Sequence, residues 1–120
     1  MENELIKVTT NEEGKQLVSA RELHEFLEIG TKFYRWFDRM CEYGFSENED
    51  YIRVSQKRPT LGGIQTVNDY AISLDMAKEI SMIQRSEKGK QARLYFIECD
   101  MYIHYIIKAI GAIRTPKRFL

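Results

Sequence analysis

The sequence is short of residues that build covalent or metal-bound frameworks. It contains two cysteines, Cys41 and Cys99, and two histidines, His24 and His104, among 120 residues. Each of them stands apart from a second ligand at the spacing of a zinc site. Both cysteines lie in apolar helical patterns, which predicts buried thiols rather than a disulfide framework. We therefore expect the protein to use neither a metal nor another cofactor.

Long apolar runs and export signals are missing as well. The amino-terminal segment MENELIKV is acidic and has no apolar stretch of the kind found in signal peptides. The apolar segment near the carboxyl end is interrupted by His104 and Lys108 and is too short to cross a bilayer. These features predict a cytoplasmic protein without a membrane partner.

Catalytic motifs are also absent from the sequence. No phosphate-binding glycine loop, nucleophile elbow or catalytic triad pattern can be identified. Gly62 and Gly63 stand alone, whereas Gly30 and Gly44 follow helical patterns and suit helix ends. The acidic residues 47–50 lack the spacing of a calcium-binding loop. The sequence therefore predicts a binding protein and not an enzyme.

The charges sum to zero but are unevenly distributed. Residues 1–50 contain six Lys and Arg against twelve Asp and Glu, and residues 51–120 contain twelve against six. A protein that coats DNA would be basic throughout, so this distribution argues against that class. It is compatible with a locally basic reading surface and with a protein partner of complementary charge.

What the sequence does contain is a pair of short helices within residues 19–45. Ser19 followed by Glu22 is a capping box that starts the first helix. Gly30 suits the left-handed residue that ends it, and Thr31 suits the cap of the second helix. A connection this short is typical of a helix-turn-helix.

Two hairpins are predicted around this helix pair. Residues 5–9 and 16–18 form the first, and alternating strands at 51–55 and 64–72 form the second. Residues 56–63 contain a proline and two glycines, which predicts a long loop at the tip of the second hairpin. The predicted fold class is α+β: a helix-turn-helix-like pair with a small, winged-helix-like β-hairpin and a long C-terminal helix.

Two further helices follow the second hairpin. Ser73 is the predicted cap of the third helix, and residues 85–90 are a predicted break after which Ser86 or a neighbour caps the fourth. From Ala92 to Ile113 the apolar residues follow a heptad spacing. Two interpretations remain: the helix packs on its own domain, or it pairs with a second copy. The extent of apolar surface favours self-association, with Phe96, Cys99, Ile103, Ile106 and Ile110 as its candidate residues.

Three segments carry a family resemblance: VSARELHEFLEIGTKFYRWFDRM, ENEDYI and DYAISLDMAKEISMIQRSEKGKQARLYFIEC. They resemble the N-terminal module of phage antirepressors of the AntA/AntB type, which is grouped with the Bro-N and KilA-N domains. The resemblance implies an antirepressor domain at residues 1–99. In the family a separate C-terminal domain usually follows this module, whereas residues 100–120 here are an apolar helical extension and a basic tail. The resemblance also implies a role in the lysis–lysogeny decision within the host bacterium, through binding and inactivation of a phage repressor protein.

The candidate recognition residues follow from side-chain chemistry. Cations at positions 32, 35 and 39 share one side of the second helix, and two more lie in the second hairpin. The full candidate set is Thr31, Lys32, Tyr34, Arg35, Arg39, Lys57 and Arg58. The ligand of this surface is either a repressor protein or, in the alternative of a winged-helix-like transcription regulator, DNA. A charged face that only contacts solvent is the third interpretation.

Overall fold

The computed structural model describes the backbone of residues 5–110 and the side chains of residues 5–101. Over this range the chain is α+β, as predicted, with four helices and a four-stranded antiparallel sheet. The elements in chain order are β1 (Val8–Thr10), β2 (Gln16–Ser19), α1 (Ala20–Phe26), α2 (Phe33–Cys41), β3 (Tyr51–Thr60), β4 (Gly63–Ser73), α3 (Leu74–Ile83) and α4 (Glu87–Ile110).

The strands form one sheet in the order β1-β2-β4-β3, so the two predicted hairpins are joined through β2 and β4. Val18 of β2 lies opposite Ile72 of β4, and Ile72 lies opposite Tyr51 of β3. Paired residues share a face of the sheet. Val18 and Ile72 are fully buried on that face, whereas Ile52 and Val54 on the other face are about two-fifths exposed. The helices therefore cover one face of the sheet.

The predicted loop at residues 56–63 is wrong. β3 continues to Thr60 and β4 starts at Gly63, so that only Leu61 and Gly62 form the turn. A positive φ of 109° at Gly63 suits such a tight connection. Pro59 is tolerated because β3 is an edge strand. The distal part of this hairpin, residues 57–66, is largely exposed, and we call it the arm.

The predicted ends of the first two helices are confirmed in part. Ser19 Oγ accepts the backbone N–H of Glu22 at 3.2 Å, and Gly44 has a φ of 109° after the end of α2. The left-handed residue after α1 is Glu28, with a φ of 56°, and not Gly30. Thr31 does not cap α2, whose N-cap is Lys32 without a side-chain hydrogen bond.

The connection between α1 and α2 is held by a histidine instead. The Nε2 atom of His24 lies 2.7 Å from the carbonyl oxygen of Thr31 and donates to it. The ring of His24 also packs against Phe33 and Trp36, with centroid distances of 5.6 and 5.1 Å. Aromatic packing and one hydrogen bond thus replace the cap that the sequence predicted.

The third and fourth helices begin at the predicted serines. Ser73 Oγ accepts the N–H of Met76, and Ser86 Oγ accepts the N–H of Gly89, both at 3.1 Å. Gly89 therefore lies inside the first turn of α4, and the break is shorter than predicted. A Cβ at Gly89 would overlap the carbonyl oxygen of Ser81, so glycine permits the close approach of α3 and α4.

The core lies between the sheet and the helices. Its largest fully buried side chains are Phe37, Phe96, Leu23, Ile72, Met76, Ile80 and Val18. α4 contributes Ala92, Tyr95, Phe96 and Cys99, and the phenol of Tyr95 donates to the carbonyl oxygen of Ile6 at 2.9 Å. The predicted boundary between residues 99 and 100 thus falls within α4.

Candidate recognition surface

A buried carboxylate attaches α1 to the sheet. Asp69 of β4 is 3% exposed and accepts the Ser19 hydroxyl at 2.5 Å and the Arg21 backbone N–H at 3.0 Å. The amide of Gln56 on β3 donates to it at 2.7 Å. Both carboxylate oxygens therefore have donors, as a buried charged group requires. Asp69 fixes the first turn of the helix pair against the base of the arm.

Arg21 joins three elements beside this contact. Its Nε donates to the carbonyl oxygen of Asn68 at 2.5 Å, and a terminal nitrogen donates to the phenol of Tyr34 at 2.9 Å. The guanidinium lies 4.4 Å from the ring centroid of Phe33, a cation–π distance. Tyr34 is therefore held in place on α2 while its side chain remains accessible.

Aromatic rings set the position of α2 on the sheet. The rings of Phe37 and Tyr70 stack at 3.9 Å with an interplanar angle of 8°, and Tyr51 meets Phe37 edge-on at 5.2 Å. Burial raises the pKa of Tyr51 to about 12, with a smaller contribution from its hydrogen bond to Cys41. The phenols beneath α2 therefore stay neutral at physiological pH, and this packing contains no charge that could be titrated there.

The opposite side of α2 is the exposed one. Its buried residues are Phe33, Trp36, Phe37 and Met40, which lie at helical spacing. Consequently Lys32, Arg35 and Arg39 are all exposed, and none of them makes an ion pair within the described range. Asp38 and Glu42 are exposed beside them. We call this set, with Tyr34, the outer face of α2: Lys32, Tyr34, Arg35, Asp38, Arg39 and Glu42.

The two arm cations are not at the tip and do not act together. Lys57 and Arg58 are consecutive residues of β3, so their side chains lie on opposite faces of the arm. Arg58 donates twice to the carboxylate of Glu25 on α1, at 2.8 and 2.9 Å. This hydrogen bonding lowers the pKa of Glu25 and raises the pKa of Arg58. Lys57 is exposed, whereas Arg58 is neutralised.

The hairpin tip itself is uncharged. Leu61 is fully exposed there and Ile64 is mostly exposed. Lys57 and Arg58 therefore lie within the strand and not in the turn, because two further pairs of strand residues separate Arg58 from it. Thr31 is half-buried, and its carbonyl oxygen is occupied by His24. Of the seven predicted residues, the structure groups Lys32, Tyr34, Arg35 and Arg39 on one accessible surface.

The self-association residues divide into two groups. Phe96 is 0% and Cys99 is 7% exposed, and both pack in the core of their own chain. They are thus unable to face a second copy, which corrects the predicted seam at its amino-terminal end. The side chains of Ile103, Ile106 and Ile110 lie outside the described residues, and their role in self-association stays a prediction.

Sequence reasoning missed Asp69, Arg21 and His24. Asp69 belongs to a strand whose alternation does not reveal a buried carboxylate, and its partners on β2, α1 and β3 are 13 to 50 residues away. Among the residues that the structure describes, no three His, Cys, Asp or Glu side chains are placed to hold a metal ion. Likewise, no helix in that range has the length and apolar character needed to cross a membrane.

Comparison with known proteins identifies a family. The family model described as AntA/AntB antirepressor matches residues 18–86, which is more than half of the chain. The match includes the helix pair, Asp69, the arm and α3. No curated protein and no solved structure matches the chain.

Proposed function

This chain belongs to the AntA/AntB antirepressor family, and we propose that it binds a phage repressor protein and inactivates it, which promotes expression of the lytic genes. Family membership is the observation that carries this proposal. Binding masks the surface through which the repressor contacts DNA or its own second copy. The activity is stoichiometric binding without catalysis, and it takes place in the cytoplasm of the bacterial host.

The outer face of α2 is the proposed contact surface. Tyr34 is 49% exposed, and Tyr43 beyond the helix end is 62% exposed. Arg35 and Arg39 lie on the same helix. Tyrosine and arginine are the residues that most often anchor protein interfaces, because each combines a large contact area with directed hydrogen bonds. The contact of Tyr34 with Arg21 further reduces the conformational entropy that binding would cost.

Charge supports a protein ligand over DNA. The outer face combines three cations with the carboxylates of Asp38 and Glu42, so its net charge is small. Arg58 is paired with Glu25 and is not available to a phosphate. A DNA-reading surface depends on uncompensated cations that displace counterions from the phosphates. A mixed surface is better suited to a protein partner of complementary charge.

The alternative is a DNA-binding regulator of winged-helix type, in which α2 reads DNA and the arm acts as the wing. One observation favours it: Lys32, Arg35, Arg39 and Lys57 are exposed, and within residues 5–101 none of them has an ion-pair partner. This ligand would produce a steep loss of affinity with rising salt. Simultaneous replacement of Lys32, Arg35 and Lys57 by Glu would abolish DNA binding.

The deciding experiment mixes the full chain with the repressor encoded by the same phage. Light scattering after size exclusion is expected to detect a complex of defined mass. Calorimetry then measures the dissociation constant of that complex. Arg35→Ala and Arg39→Ala are each expected to weaken binding about tenfold, the effect of losing an interface anchor worth about 1.4 kcal/mol. Lys7→Ala, which removes an exposed cation outside the outer face, serves as the matched control.

Two results would count against the proposal. Absence of a complex with the cognate repressor removes the proposed activity, and retention of operator DNA with a steep salt dependence would then establish the alternative. If both arginine variants bind the repressor with unchanged affinity, the proposed activity stands, but the outer face of α2 is rejected as the contact surface.

A further inference from the structure

The outer edge of β3 is a long row of backbone groups without a neighbouring strand. β3 pairs with β4 on one side only, because the sheet order is β1-β2-β4-β3. On its other side the preceding loop covers the first residue: Glu47 forms a parallel bridge with Tyr51, and Asn48 donates its N–H to the Tyr51 carbonyl oxygen at 2.6 Å. Among the residues that the structure describes, no backbone group pairs with this side of β3 beyond that point.

The register of the hairpin shows which backbone groups point outward. The N–H of Ser73 donates to the carbonyl oxygen of Asp50 at 2.8 Å, so this opposed pair is hydrogen-bonded. Hydrogen-bonded and non-hydrogen-bonded pairs alternate along an antiparallel ladder. Even-numbered residues of β3 therefore bond to β4, and odd-numbered residues direct their N–H and C=O groups away from it. Beyond Tyr51 these outward residues are Arg53, Ser55, Lys57 and Pro59, which we call the open edge of β3.

The open edge is suited to a second extended backbone. Arg53, Ser55 and Lys57 each present one donor and one acceptor, whereas Pro59 presents its carbonyl oxygen alone. Proline at an outward position costs no hydrogen bond to β4, which agrees with this assignment. Donors and acceptors that recur at every second residue are complementary to the main chain of an added strand. The backbone pattern therefore selects an extended polypeptide as the occupant.

The side chains beside the open edge differ between the two faces of the sheet. Arg53 and Lys57 are exposed cations on the face that carries α2. The partner of Arg53 is Glu47 at 3.2 Å, and both side chains are exposed, so this pair contributes little stability and can be exchanged. Ile52 and Val54 lie on the other face and are about two-fifths exposed. A strand beside β3 would thus meet cations on one face and apolar side chains on the other.

We propose that the open edge of β3 binds an extended segment of a partner protein, which adds one strand to the sheet. The segment is amphipathic: its carboxylates lie opposite Arg53 and Lys57, and its apolar side chains lie beside Ile52 and Val54. Main-chain hydrogen bonds supply the affinity, and this alternation of acidic and apolar residues supplies the specificity. The site is separate from the outer face of α2 and does not depend on the proposed repressor binding.

A second copy of this chain is the less suitable occupant. β3 contains the cations Arg53, Lys57 and Arg58 and neither Asp nor Glu, so two β3 edges side by side would gather charge of one sign. Like charges that lie opposite one another destabilise paired strands. Lysine and proline on an edge are also the means by which sheets avoid pairing with copies of themselves. The same cations attract a strand that carries carboxylates.

The test is a nuclear magnetic resonance titration of the full, isotope-labelled chain with the synthetic peptide Thr-Val-Glu-Val-Thr-Val-Glu-Val-Thr. Its two carboxylates have the spacing of Arg53 and Lys57. The amide resonances of Arg53, Ser55 and Lys57 are expected to shift in a saturable way. Their hydrogen exchange should slow more than that of Ile52 and Val54, because the amides of those two neighbours already bond to β4.

Ser55→Pro is the discriminating variant. It removes an outward N–H and places a ring against the added strand, but it leaves the bonds to β4 intact, as Pro59 does. We expect it to fold, which a thermal melt checks, and to bind the peptide at least about tenfold more weakly. Ser55→Ala keeps the backbone N–H and is the matched control, with the affinity of the unmodified chain.

A charge reversal tests the side-chain part of the proposal without a new proline. Arg53→Glu combined with Lys57→Glu is expected to prefer the same peptide with Lys in place of Glu, whereas the unmodified chain prefers the Glu peptide. The proposal is overturned if the Glu peptide leaves the exchange of the outward amides unchanged. It is also overturned if Ser55→Pro binds as Ser55→Ala does, or if the charge reversal does not change the preference. A dimer that Ser55→Pro converts into a monomer would make a second copy the occupant instead.

Discussion

Asp69 Oδ1 lies 3.0 Å from the backbone nitrogen of Arg21, so a carboxylate from β4 completes the first turn of α1. The two residues are 48 positions apart in the chain. Ser19 already satisfies another N–H of the same turn, and Asp69 accepts the hydroxyl of Ser19 as well. One buried side chain of the sheet therefore holds the first turn of α1, whereas the aromatic rings beneath α2 position the second helix.

Replacement of Asp69 by Ala is expected to lower the free energy of unfolding by roughly 2–4 kcal/mol, since it leaves buried donors without an acceptor. Urea unfolding followed by circular dichroism measures the change. Asp69→Asn keeps one acceptor oxygen and the side-chain volume, so this variant should lose less unfolding free energy than Asp69→Ala. Equal stability of the Ala variant and the unmodified chain would show that Asp69 does not hold α1.

The contact between Gly89 and Ser81 makes a second prediction. Gly89→Ala is expected to destabilise the protein by about 1–3 kcal/mol, because α3 and α4 must separate to admit the methyl group. Gly30→Ala is the control, since a Cβ there meets nothing within 4 Å and the φ of Gly30 is not positive. Thermal unfolding of both variants gives the comparison. If Gly30→Ala lowered the stability and Gly89→Ala did not, the close packing of Gly89 against Ser81 would be contradicted.

The pair formed by Glu25 and Arg58 predicts a pH dependence. The pKa of Glu25 is lowered in the folded protein, chiefly by the hydrogen bond from Arg58. A lowered carboxyl pKa stabilises the fold above the unfolded value of about 4.3, and this contribution is lost as the pH falls through the folded pKa. Both side chains are partly exposed, so the expected contribution at pH 7 is about 0.5–1 kcal/mol.

Unfolding of Glu25→Gln beside the unmodified chain from pH 7 down to about pH 3 measures this contribution. The difference in stability should be largest at neutral pH and should decrease toward zero in acid. Glu22 acts in the opposite direction, because burial and the nearby Asp69 raise its pKa. It is present in both proteins, so its effect largely cancels in the difference. A difference that stays constant over this range would exclude an ionic contribution from Glu25.

Self-association through α4 is a further prediction. Ile103→Asp combined with Ile106→Asp is expected to convert a dimer into a monomer, because charge at a seam opposes association. Light scattering gives the molar mass, and a thermal melt checks that the monomer is folded. The structure excludes Phe96 and Cys99 as test positions, since both are part of the chain's own core. A molar mass unchanged by the double variant would reject this seam.

Much of the local structure was predictable from the sequence. The caps at Ser19 and Ser73 and the helix end at Gly44 were predicted correctly. Each of these signals depends on hydrogen bonds or backbone conformations within three or four residues, so the necessary information is local. The exposed side of α2 also follows from helical periodicity, because four buried residues leave Lys32, Arg35 and Arg39 on the opposite side.

The errors occurred where a residue's role depends on its position in the sheet. Pro59 and two glycines predicted a loop, but an edge strand accommodates proline without losing a hydrogen bond to its neighbour. Whether β3 is an edge strand follows from the pairing of β2 with β4, which local propensity does not encode. The same limit applies to Arg58, whose partner Glu25 is 33 residues away.

The sequence by itself therefore determined the α+β class, the starts of α1, α3 and α4, the exposed side of α2 and, through its motifs, the family. Only the tertiary structure decided that Asp69 caps α1, that Arg58 is neutralised by Glu25, and that Phe96 belongs to the core. The physical reason is distance along the chain. Caps and periodicity act between neighbours in sequence, whereas a buried carboxylate or an ion pair is specified only when folding brings remote residues together.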